Sequence, residues 1–129
     1  MNRIAIIGIL LLMWACVPKG REYGKELYET KCANCHGLEG GGLHELYPPL
    51  KNSDYLREHQ DELVCIIRYG LKTPIVVNGV TYQTSMPSQP MLSDVELANI
   101  INYISENFEP ELEMVRIEDV EVQSSRCAK

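Results

Sequence analysis

Residues 32–36 read Cys32-Ala33-Asn34-Cys35-His36, and the rest of the chain is understood from this pentapeptide outward. Two thiols three positions apart can each add to a vinyl group of one haem, and the histidine that follows is then held under the iron as an axial ligand. The thioether bonds fix the porphyrin edge while the peptide turn aims the imidazole. Other uses of the pair fit less well. A zinc site needs a second close pair of Cys or His ligands, whereas Cys65, Cys127, His44 and His59 are scattered singly. A thioredoxin-like pair follows a strand and opens a helix, but here the cysteines close a helix in a chain with little strand signal. The cofactor implied is one covalent haem c, attached at Cys32 and Cys35, with His36 on the iron.

Upstream of the motif, Tyr23, Leu27 and Tyr28 share one face of a helix expected over residues 23–36. Downstream, residues 37–52 carry three consecutive glycines and Pro48-Pro49, a loop composition. A short helix is expected over residues 54–59 and a firmer one over 60–69, stopped by Gly70. Residues 75–84 hold a hairpin signal around Asn78-Gly79. Ser93 opens the last strong helix with a capping box to Glu96, and Leu97, Ile100, Ile101 and Ile104 form its buried stripe.

The second axial ligand must be a soft or imidazole donor. Met86 is the leading candidate, because Pro87 biases the residue before it toward extended backbone on a segment between the hairpin and the last helix. Met91 is the rival, expected instead to pack apolar surface, and Met114 in the acidic tail is expected to be a minor packing residue. His44 and His59 lie in polar surroundings and read as solvated loop or helix-end residues.

With these residues in place, the stretch from Tyr23 to Phe108 resembles a class I cytochrome c domain. It matches in order the first helix, CANCH, the proline loop, the middle helix, the methionine loop in MPSQPMLSDVELANIINYI and the last helix. The resemblance implies an all-α fold of three main helices around one covalent haem, with a short hairpin before the methionine loop. It also implies that Gly24 and Tyr28 pack against Ile100 and Tyr103, that the Pro48 carbonyl accepts a hydrogen bond from His36, and that Leu50 packs on the haem. The chain departs from the pattern in one respect, since no tryptophan is available to bond a haem propionate. Tyr47, Tyr55, Tyr69 and Tyr82 are the available substitutes.

The whole chain has 129 residues, 45% of them hydrophobic, and a net charge of −6 from 18 acidic and 12 basic residues. One domain is the size expectation, and neither a disordered tail nor a nucleic-acid partner fits that balance. Residues 1–16 combine Arg3, an apolar run too short to span a bilayer, and Cys16. Met13-Trp14-Ala15-Cys16 resembles a bacterial lipoprotein processing site, which implies a signal peptide over 1–15, lipid on Cys16 and a tether over 16–22. The cytochrome domain then spans 23–108 and an acidic extension 109–129. The extension's acids read as a solvated face, while Leu112, Met114, Ile117, Val120 and Val122 give it enough apolar character to pack back on the domain.

Iron held by His36 and Met86 has no free coordination position, so the functional expectation is a one-electron carrier, with neither enzymatic activity nor a small-molecule substrate. Its place is the periplasmic side of a bacterial membrane. Its partners are a quinol-oxidising complex on one side and a terminal oxidase or periplasmic reductase on the other. The alternatives are a haem subunit of a peroxidase-like or sulfur-compound-oxidising enzyme, and a fixed electron-entry module of a respiratory complex. Five cysteines make an odd set. Lipid takes Cys16 and haem takes Cys32 and Cys35, leaving Cys65 and Cys127 as the disulfide candidates in an oxidising compartment, unless Cys65 is an inert buried thiol.

Overall fold

The computed structural model describes residues 19–127, so Cys16, the expected signal segment and the start of the expected tether lie outside the described residues. In chain order the elements are helix α1 (Lys19–Lys31), a one-turn α2 (Ala33–His36), α3 (Asp54–Glu58), a 3₁₀ turn (Gln60–Glu62), α4 (Leu63–Tyr69), strands β1 (Ile75–Val77) and β2 (Val80–Tyr82), α5 (Asp94–Asn107) and α6 (Ile117–Arg126). The fold is the mostly helical one of class I cytochromes c.

Helix α1 differs from its expected span at both ends. It starts four residues early, inside the expected tether, because α5 supports its first turn: Arg21 Nε lies 2.9 Å from Glu106 Oε2. It ends at Lys31, where Cys32 leaves helical geometry at φ −122° and ψ −39°, and α2 then restarts the helix on a new axis. That break separates the helix that packs from the turn that presents Cys35 and His36.

At the α1–α5 crossing the two helices meet backbone to backbone. A Cβ on Gly24 would stand 2.6 Å from the Asn99 carbonyl oxygen and 3.2 Å from Tyr103 Cβ, so only a glycine lets the two backbones approach this closely. Gly24 therefore meets Asn99 and Tyr103, while Ile100 turns toward the interior. One turn on, fully buried Tyr28 packs its ring 5.3 Å from Tyr103 and 5.0 Å from Phe108. Such aromatic pairs add about 0.5–1.5 kcal/mol beyond their burial. The Tyr28 hydroxyl also donates to the Gly37 carbonyl at 2.7 Å, tying the packed helix to the residue after His36.

Helix α5 opens on the expected capping box. Ser93 Oγ accepts from the Glu96 N–H at 3.3 Å, and Glu96 accepts from the Ser93 N–H at 2.8 Å. Those Ser93 donors hold the Glu96 carboxyl below its ordinary range. Leu97, Ile100, Ile101 and Ile104 are all buried. In the hairpin, Ile75 pairs with Tyr82 and Val77 with Val80 around Asn78-Gly79, and Asn78 and Asp54 exchange hydrogen bonds that tie the turn to the start of α3.

The extension is part of the structure. Leu112 and Val120 are buried, Ser105 Oγ donates to the Leu112 carbonyl at 2.6 Å, and Asn102 exchanges two hydrogen bonds with Val115. Two expectations are corrected here. Glu109 is not solvated: it is 1% exposed and accepts from Arg57 Nη1 at 2.8 Å, an ion pair that bridges α3 and the end of α5. Met114, Ile117 and Val122 face solvent, since only one stripe of α6 and its approach can touch the core. Cys65 on α4 is disulfide-bonded to Cys127, just past α6, with Cα atoms 5.4 Å apart and a separation of 62 positions in sequence. Closing a loop of that length restricts the unfolded chain by about 4 kcal/mol in the chain-entropy model. The pair Cys65→Ser with Cys127→Ser is expected to lower the unfolding free energy in denaturant titrations by about that amount, and a loss under about 1 kcal/mol contradicts it.

Candidate haem site

Helix α1 and the turn α2 bring Cys32, Cys35 and His36 to one side of an apolar cavity. Neither Cys32 nor Cys35 is in a disulfide, and both are half-buried. Burial, reinforced by neighbouring Cys35, pushes the Cys32 thiol up to about 11. That is the opposite of the depressed value a nucleophilic redox cysteine needs.

His36 is fixed by one bond. Its Nδ1 lies 2.9 Å from the Pro48 carbonyl oxygen. A carbonyl only accepts, so Nδ1 carries the proton and Nε2 is left with the lone pair. Burial lowers the His36 basicity and the Pro48 bond raises it; burial is the larger effect, so the ring is neutral and can donate through Nε2. The loop that delivers Pro48 depends on Gly42. At φ +70° it lies against the Tyr47 carbonyl and the Pro48–Pro49 peptide, where a Cβ would overlap both, and its N–H donates to the His36 carbonyl at 2.8 Å.

The Met86 side is built the same way. Its N–H donates to the Leu71 carbonyl at 2.8 Å and its carbonyl accepts from the Leu71 N–H at 3.1 Å, a two-bond clamp that holds the methionine backbone extended. Gly70, which ends α4 at φ +74°, lies against the Met86 carbonyl with no room for a Cβ. Two adjoining cavities are each bordered by Cys32, His36, Pro48, Ile67, Leu71, Ile75 and Met86. Leu50, Ile66, Ile100, Ile101 and Ile104 line the first of them.

The remaining candidates do not converge there. Met91, expected to pack, is 92% exposed: the turn in which Gln89 N–H bonds the Ile67 carbonyl and Leu92 N–H bonds the Gln89 carbonyl sends Leu92 inward and Met91 outward. Met114 is exposed, and so is His44, which sits in a loop at φ 46°. His59 stacks on Tyr55 with ring centroids 4.0 Å apart and donates to Glu62 at 3.2 Å. Cys65 and Cys127 lie in the α4–α6 staple. Sequence reasoning missed Gly42 and Leu71 as positioning residues. The run of three glycines was a partial signal for the first; nothing local marks the second, because it acts through its backbone.

Two free thiols, one oriented neutral imidazole and one clamped thioether around an apolar slot suit a flat, apolar, iron-bearing plate joined to the chain at one edge. Fold and site together fit a domain that holds covalent haem. Residues 21–107 match the family model described as Cytochrome c. The chain is similar to cytochrome c-552 of Thermus thermophilus, 33% identical over 86 residues that make up 64% of this chain and 65% of the relative. It is also similar to the cytochrome c subunit of a quinone alcohol dehydrogenase of Gluconacetobacter polyoxogenes, 32% identical over 83 residues, 63% of this chain and 18% of that subunit. The corresponding subunit of Gluconobacter oxydans is 30% identical over 83 residues and is covered to 17%. The chain thus spans less than two thirds of the length of these relatives. It belongs to the cytochrome c family, whose cofactor is covalently bound haem c with its iron.

A domain this small buries a limited core by itself, and the apolar walls of the slot need a partner surface. Replacing both attachment residues, Cys32→Ala with Cys35→Ala, is expected to leave the domain poorly folded, with reduced helical circular dichroism and no cooperative melt. A native-like spectrum with a sharp melt contradicts this.

Proposed function

We propose that the chain is a one-electron carrier in which His36 Nε2 and Met86 Sδ take the two axial positions of the iron and Cys32 and Cys35 form the thioethers. The observation that carries the proposal is that His36 and Met86, each held by its own backbone clamp, border the same apolar slot. Haem bound there supplies a one-electron ferric/ferrous couple. The chain's residues do the rest. Pro48 fixes the imidazole tautomer and increases its donor strength. The Leu71 clamp holds Met86 in place, so the thioether is not readily displaced by an outside ligand. A thioether donor also favours the ferrous state relative to a second imidazole. The apolar lining excludes water and limits rearrangement when the charge on the iron changes.

No helix among the described residues is long and apolar enough to cross a membrane; in this proposal the anchor is lipid on Cys16, after removal of residues 1–15, and the domain stands on the periplasmic side of a bacterial membrane. Its electron donor is a quinol-oxidising complex and its acceptor a terminal oxidase or periplasmic reductase. A second arrangement, a fixed electron-entry subunit of a dehydrogenase complex, draws support from the similarity to cytochrome c subunits of quinone alcohol dehydrogenases. Co-purification from membranes as a stable complex would favour it over a tethered shuttle.

The ligand assignment is tested by two methionine variants. The weak red absorption band of a ferric iron–thioether bond is expected to vanish in Met86→Ala and to persist in Met91→Ala. Persistence of the band in Met86→Ala contradicts the assignment.

A further inference from the structure

Helix α4 has seven residues, too few to hold a position by itself, so its place is set by what touches it. At its C-terminal end it carries the methionine segment. The Ile67 carbonyl accepts from the Gln89 N–H at 3.0 Å, Leu71 exchanges its two bonds with Met86, and Gly70 lies against the Met86 carbonyl. Among the described residues, the backbone bonds that residues 86–89 make outside their own turn all end on Ile67 and Leu71. The position of Met86 therefore follows that of α4.

The other flank of α4 is held by α6 and its end. The disulfide joins Cys65 to Cys127, the Val64 N–H donates to Gln123 Oε1 at 3.4 Å, and Asp94 Oδ1 accepts from Arg68 Nη2 at 2.6 Å and from Ser124 Oγ at 3.3 Å. Of the ten residues of α6 only Val120 is buried. Apolar packing thus grips this helix at one point, and the disulfide is its covalent hold on α4. Helix α6 and Cys127 lie beyond residue 107, where the match to the family ends, so the brace is an addition to the shared domain.

We propose that Cys65 and Cys127 are positioning residues for Met86: by pinning the end of α6 to α4, their disulfide holds the helix on which the methionine segment hangs and so keeps the thioether on the iron. This rests on the ligation by His36 and Met86 proposed above. Without the disulfide α4 shifts together with residues 86–89, and the iron position opposite His36 opens to an outside ligand. A disulfide that served stability alone would act by restricting the unfolded chain and would leave the iron site of the folded protein as it was.

The experiment compares the haem-loaded full chain with its Cys65→Ser, Cys127→Ser variant at neutral pH without denaturant, where circular dichroism shows both to be folded. The expected result is a loss of intensity in the red iron–thioether band of the ferric variant, and a carbon monoxide complex of the ferrous variant that the wild-type protein does not form. A variant that keeps the full red band and forms no such complex overturns the proposal, even where its stability in denaturant has fallen. Should the variant fail to incorporate haem, the loaded wild-type protein is unfolded in urea with a dithiol and returned to buffer with the dithiol present, its haem being covalently retained. The same two readouts then decide, and a chain that stays unfolded under these conditions overturns the proposal, because the disulfide then serves folding as a whole. A wild-type protein that lacks the red band or binds carbon monoxide overturns the axial assignment itself, an outcome distinct from wild-type and variant proteins that both keep the band.

Discussion

The hydrogen bond from His36 Nδ1 to the Pro48 carbonyl, 2.9 Å long, is the contact on which the rest of the site depends. It settles which ring nitrogen carries the proton and leaves the other free to face the slot. Several otherwise unrelated features serve it. The break at Cys32 turns the motif away from the α1 axis. The Tyr28 hydroxyl anchors Gly37. Gly42, at positive φ, lets the loop fold so closely that Pro48 comes within reach of the ring. Gly70 and Leu71 do the corresponding work for Met86. Each wall of the slot is thus set by backbone hydrogen bonds and by a glycine that leaves no space for a side chain.

Around that slot the helices form a clasp closed at two places. At one, Gly24 lets α1 and α5 approach to backbone contact and the Tyr28–Tyr103–Phe108 cluster fills the space below. At the other, the Cys65–Cys127 disulfide and the ion pair between half-buried Arg57 and buried Glu109 draw residues 109–127 against α3 and α4. Burying Glu109 costs desolvation that its Arg57 partner offsets, so the pair specifies where the chain leaves α5 more than it adds stability. The family match ends at residue 107, and the segment beyond it braces α4, whose Ile66 and Ile67 line the slot.

Features whose signal is local were legible in the sequence. Thiol spacing, Asn78-Gly79 in the hairpin, the Ser93–Glu96 capping box and the α5 stripe each depend on a few neighbouring residues, and the structure places them where the sequence does. Features decided by distant partners were not. Helix α1 reaches back to Lys19 because α5 supports it, and Glu109 is buried because Arg57 arrives from another helix. Met91 points outward because of a turn anchored on the Ile67 carbonyl. Composition alone treated Glu109 as one acid among many and Met91 as one more apolar residue.

The central claim is that His36 and Met86 occupy both faces of the iron, leaving electron transfer as the chemistry of the site. Carbon monoxide tests it most directly, because it binds ferrous haem wherever an axial position is open or weakly held. Exposure of the reduced, intact protein to carbon monoxide at neutral pH is predicted to leave the absorption spectrum unchanged. Prompt and saturating formation of a carbon monoxide complex would contradict the account.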